Sequence, residues 1–105
     1  MSEQELPRTG HEAVERMVLI FTRNGYKISQ ADNVMLFTCD SSAEAFQLSL
    51  LYNGDHGFEL THPDFPSSSW NCSKCFSGDL EYPAGKFFEH METLVKQANP
   101  VNIAR

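Results

Sequence analysis

Apolar residues recur at Val14, Met17, Val18 and Phe21, the i, i+3, i+4, i+7 spacing that lines one face of a helix. Thr9-Gly10-His11-Glu12 precedes them as a capping box, in which Thr9 accepts from the third helical amide and Glu12 reaches back. Asn24-Gly25 stops the pattern, so a helix is expected over about residues 10–24. Beyond it the period shortens to two. "YKISQ" (26–30) and "VMLFTC" (34–39) are short and rich in β-branched or aromatic residues, and Ala31-Asp32-Asn33 separates them as in a hairpin. The next stretch is ambiguous. Ser41-x-x-Glu44 could cap a helix over 43–52, yet Phe46, Leu48, Leu50 and Tyr52 alternate with polar Gln47 and Ser49. Asn53-Gly54 is a hairpin signal, and Phe58 and Leu60 alternate again beyond it. Strands at about 45–52 and 57–62 are therefore expected.

From Pro63 to Gly78 the chain is rich in Pro, Ser and Gly, which reads as loop with a short strand near Trp70–Cys72. Asp79–Tyr82 would add an edge segment. Pro83 suits a helix start, Phe87, Met91, Leu94, Val95 and Ala98 form an apolar stripe, and Asn99-Pro100 ends it. A second helix is expected over about 84–98. The fold class this predicts is α+β, two-layer, with an antiparallel sheet of about four to five strands. The N-terminal and C-terminal helices would pack on one of its faces. Residues 1–105 should form one small domain, with 1–8 and 100–105 as flexible tails.

Charge narrows the partners. Eight basic against fourteen acidic residues give a formal charge of −6. That argues against nucleic acid, where lysine and arginine on phosphates supply the affinity, and against anionic membranes. No apolar run approaches the ~20 residues that span a bilayer. The start "MSEQELPRTG" has no apolar core of a signal peptide, and three cysteines make an odd count. Free thiols in a cytoplasmic protein are expected.

The most chemical stretch is "SSSWNCSKCFSGD", residues 67–79, with Cys72 and Cys75 spaced C-x-x-C. A structural zinc site needs four ligands. His56 and His62 stand about 20 Å apart if 57–62 is a strand, so they cannot share an ion. Cys39, His62, Cys72 and Cys75 remain as a candidate set if the end of the "VMLFTC" strand lies beside the loop. A dithiol redox site would put its cysteine at a helix N-terminus, but "FSGD" after Cys75 is a turn. The residues thus favour no cofactor, with zinc as the alternative, and two thiols open to reagents. His62-Pro63-Asp64 matches the signature tripeptide of J-domains. That family places it after a basic helix, whereas "DHGFELT" here is acidic and strand-like, so the tripeptide reads as a strand end and a turn.

No nucleophile elbow, P-loop or dinucleotide fingerprint is present, and no residue stands out as catalytic. What remains is association with another protein, or with a second copy as a homodimer. Inhibitor, immunity, adaptor and chaperone-like roles all fit; a zinc protein and a small enzyme without a readable motif are the alternatives. Association draws on a few aromatic anchors. Phe65, Trp70 and Phe76, in the serine-rich segment, are the candidate partner-binding residues, with negative charge around them to steer a basic partner.

Overall fold

The computed structural model describes residues 7–40, 42–71 and 74–99. Residues 1–6 and 100–105 of the expected tails, and Cys72, lie outside the described residues. The chain runs from helix α1 (Gly10–Arg23) through seven strands to helix α2 (Ala84–Ala98). The strands are β1 (Lys27–Ala31), β2 (Val34–Cys39), β3 (Ser42–Leu51), β4 (Gly57–His62), β5 (Phe65–Trp70), β6 (Cys75–Ser77) and β7 (Leu80–Tyr82). They form one antiparallel sheet whose spatial order is the chain order. The α+β class with an antiparallel sheet and two flanking helices is as expected; the strand count is seven, not four to five. Residues 42–51 are strand rather than helix. Asn53-Gly54 closes no tight hairpin but sits in a single 3-10 turn, with Tyr52 and Asn53 both at positive φ.

The largest correction is the segment read as loop. Residues 65–70 and 75–77 are strands, and β5 is interior to the sheet. Proline normally excludes an interior strand because it removes a ladder donor. Pro66 escapes this at a register shift between the Leu60↔Ser68 and His62↔Phe65 pairs, where the ladder is locally broken. Each inward serine also finds a partner: Ser68 Oγ donates to Ser77 Oγ at 3.1 Å.

Pair by pair, the register separates two faces. One row runs Leu50–Phe58–Trp70–Cys75–Tyr82, and another runs Met35–Leu48–Leu60–Ser68–Ser77. These point inward, under the helices. Phe21 of α1 stacks on Phe37 of β2 at 4.0 Å between ring centroids, with Phe46 and Tyr26 around it. Phe87 of α2 lies over Phe58, 6.3 Å away. Each phenylalanine buried in this way is worth about 1.5–3 kcal/mol over leaving it in water.

Helix α1 is turned slightly from the orientation its sequence suggests. Ala13, Met17, Ile20 and Phe21 are buried, and Val14 and Val18 are left half-buried at its flank. Thr9 caps it as expected, accepting from the Glu12 amide at 3.1 Å. The Glu12 carboxylate takes the Arg8 amide at 2.7 Å. The far end of α1 is tied to α2 by polar groups. Asn24 Nδ2 donates to Ile20 O and Glu92 Oε2, Asn99 Nδ2 donates to Asn24 O, and the Tyr26 hydroxyl donates to Val95 O. Among the described residues, no helix is long and apolar enough to cross a membrane.

Candidate protein-binding face

The second face of the sheet carries the other half of each strand's residues. Its longest row runs Val34–Ser49–Glu59–Ser69–Phe76–Glu81 across β2 to β7. A shorter one runs Leu36–Gln47–Thr61. Both helices pack on the opposite face, so no described element covers these residues. Serine, threonine, glutamine and glutamate on this surface alternate with the apolar Val34, Leu36 and Phe76.

The three candidate aromatics separate on this frame. Trp70 is 3% exposed and faces the core beside Phe58 and Cys75. It is a structural plug rather than an exposed anchor. The indole could reach the core because Gly57, at φ +114°, lets the Trp70 carbonyl pack where a Cβ would stand 1.9 Å from that oxygen. Phe65 is half-buried, stacked on Phe46 with ring planes 12° apart and packed against the His62 ring. It closes the end of the core. Phe76 alone reaches the uncovered face, because it is one residue out of phase with Cys75 and Ser77.

Around Phe76 the sheet forms a depression of about 410 Å³ lined by Glu59, Ser67, Ser69, Gly78 and Asp79. Glu81 lies opposite Phe76 on β7. Glu59 and Asp79 thus share one depression with the half-buried Phe76, and Glu81 is its cross-strand neighbour. Among the described residues no cation forms an ion pair with Glu59, Asp79 or Glu81. Such a site can accept a lysine or arginine, with the ring face and the carboxylates both attracting the cation. Sequence reading named Phe76 but missed the acidic residues, which come from β4, the β6–β7 turn and β7. Only the register of β5 and β6 brings them together, and that register has no local signature.

Among the described residues, no group of three or more His, Cys, Asp or Glu side chains comes together to hold a metal. Cys39, His62 and Cys75 belong to β2, β4 and β6. At about 4.8 Å per strand, four strand spacings put Cys39 and Cys75 roughly 19 Å apart, and Cys72 lies outside the described residues. The Cys75 thiol donates to the Tyr82 carbonyl at 3.1 Å. Burial, reinforced by the charge of Glu81, pushes its pKa up, so the expectation of a reactive thiol fails at this position. His62 Nδ1 accepts from the Asp64 amide at 3.0 Å, which places its proton on Nε2. That Nε2 is buried with no hydrogen-bond partner among the described residues, and the ring packs against those of Phe46 and Phe65.

One polar chain was not foreseen. Ser68 bonds Ser77, whose Oγ lies 3.0 Å from His90 Nε2, and the Tyr82 ring stacks on His90 at 4.7 Å. Serine beside histidine suggests a nucleophile, but Ser68 and Ser77 are 2% and 5% exposed. No substrate reaches them, and the chain serves to satisfy hydroxyls under α2. No protein-family model, curated protein or solved structure matches this chain.

Proposed function

We propose that this protein is a non-enzymatic interaction module that holds a basic segment of a partner protein on the uncovered face of its sheet. The observation that carries this reading is the Glu59–Ser69–Phe76–Glu81 row, a ring flanked by carboxylates on a face that no described element covers. The net charge of −6 would speed the approach of such a partner, and the serines of the row offer hydrogen bonds to its backbone. Cys75 keeps a free thiol, which suits a reducing compartment such as the cytoplasm.

Titrating labelled protein with a short lysine- and arginine-rich peptide, followed by NMR, tests the reading. The shifts should cluster at Glu59, Ser69, Phe76 and Glu81, and Phe76→Ala should weaken binding by about 1 kcal/mol. Shifts scattered over all acidic surfaces, or binding indifferent to Phe76→Ala, would reduce the interaction to bulk charge and end this proposal.

A further inference from the structure

The two edges of the sheet are built differently. Strand β7 is three residues long, carries Glu81, and is bracketed by Asp79 and Pro83. Short length, charge and proline are the ordinary protections of an exposed edge. Strand β1 is longer and carries one charge, Lys27, at its start. Its five residues, Lys-Ile-Ser-Gln-Ala, are all exposed, and it contains no proline and no acidic residue. In a chain of net charge −6, the run from Arg23 to Ala31 has no carboxylate at all.

The inner side of this edge also leaves apolar groups uncovered, beside the polar His11, Glu15 and Asn53. Ile28 lies on the helix-facing side, opposite Phe37, yet is 40% exposed. Between α1 and the β1–β3 end of the sheet lies a groove of about 430 Å³, with Val14, Val18, Met35 and Leu50 among its walls and Gln30 on β1 at its rim. It exists because α1 packs on Ala13 and Ile20, leaving Val14 and Val18 at its flank, so that the sheet overhangs the helix.

We infer that β1 is a self-association edge, pairing antiparallel with β1 of a second copy across a twofold axis at Ser29. For a continuous sheet the twofold must leave each face on its own side, so a residue at the axis faces its own copy. Centring on Ser29 is the register that pairs all five residues. Lys27 then meets Ala31, Ile28 meets Gln30, and Ser29 meets Ser29. No like charges oppose each other across the pair. Ile28 of each copy becomes a diagonal neighbour of the other on the grooved side, removing exposed apolar area from water. An edge free of carboxylates is where two acidic chains can meet with least repulsion. Ser29 lies on the same uncovered face as Phe76 but at the opposite end of the sheet, on β1 rather than β6.

Sedimentation equilibrium of the full chain over a wide concentration range reads the assembly directly. The wild type should show twice the chain mass, and Ser29→Lys, which opposes two ammonium groups at the axis, should return it to the monomer with an unchanged circular dichroism spectrum. Ser29→Cys should form a covalent dimer under mild oxidation, since facing residues of an antiparallel pair stand about 4.5–5.5 Å apart between Cα atoms. Lys27→Cys should not, because it faces Ala31. A wild type that stays monomeric throughout overturns the inference, leaving the edge to some other extended segment. So does a dimer that survives Ser29→Lys and shows no cross-link specific to Ser29→Cys. In the peptide titration, Ser29→Lys should bind as the wild type does, so failure of one proposal does not carry the other.

Discussion

Arg23 grips Glu92 with two parallel bonds, 2.9 Å from Nε and 2.6 Å from a terminal nitrogen, joining the last turn of α1 to the middle of α2. Asn24 adds a third donor to the same carboxylate at 3.0 Å. Hydrogen bonds from Arg23 above all, with help from Asn24, hold the Glu92 pKa below the usual carboxylate range, against the opposing effect of its burial. The side chains are 35% and 24% exposed, so water screens part of the attraction. Glu92→Gln should cost about 1–2 kcal/mol at neutral pH. A lowered folded-state pKa means this stability is whole above the unfolded carboxyl pKa near ~4.3 and is lost as pH falls through the folded value. The difference between wild type and Glu92→Gln in urea unfolding should therefore shrink towards acid; a constant difference would show that charge is not what the carboxylate contributes.

Trp70 gives a second test, because its burial makes a fluorescence signature. Native emission should be blue-shifted and protected from iodide. Trp70→Ala should cost about 3–5 kcal/mol, leaving a cavity between Phe58 and Cys75. Red emission that iodide quenches would mean the indole is outside the core.

The contrast between the two ends of the sheet shows what the sequence makes legible. Strands β2 and β4 match their expected ranges because Met35, Phe37, Phe58 and Leu60 alternate with polar neighbours. Helix α2 matches its expected range because its stripe is long and Pro83 and Asn99 bracket it. Strand β5 was illegible because its inward residues, apart from Trp70, are serines, and a serine is buried only if another strand supplies the partner. Ser68 depends on Ser77, nine residues on, which no local pattern announces. Trp70 and Phe76 share one segment but occupy opposite faces, and only the register Trp70↔Cys75 says so. The site was half-visible for the same reason: its ring is local in sequence, but its carboxylates are not.

The thiols offer a third measurement. Cys39 is buried on β2 and Cys75 on β6, and the Cys75 thiol is held protonated by burial and by Glu81. The thiolate is the species that attacks a disulfide reagent. At neutral pH both residues should react slowly with such a reagent in the folded protein and rapidly in denaturant, as read by mass spectrometry of the labelled peptides. Rapid native labelling of Cys75 would place it outside the core and remove its bond to the Tyr82 carbonyl.

Gly10 supplies the sharpest case of packing against propensity. It opens α1, where replacing glycine with alanine ordinarily gains up to about 1 kcal/mol. Here the helix start lies directly on the 3-10 turn and the first residue of β4. A Cβ on Gly10 would stand 1.9 Å from the Gly54 carbonyl oxygen and 2.6 Å from the Gly57 nitrogen. Both are backbone atoms, and Gly54 and Gly57 are themselves at positive φ, so neither can move aside by a side-chain rotation. His11 adds a bond to Asp55 at 2.8 Å, which holds the turn against the helix. Gly10→Ala must therefore lift α1 away from β4 or bend the turn, and either loosens the contact beneath Ala13. Overpacking of this kind costs about 1–3 kcal/mol. The midpoint of urea unfolding should fall accordingly, while His11→Ala, which removes only an exposed pair, should lower it by less than ~1 kcal/mol equivalent. A raised midpoint for Gly10→Ala would mean that α1 begins clear of the turn, and the close approach of the two would be refuted.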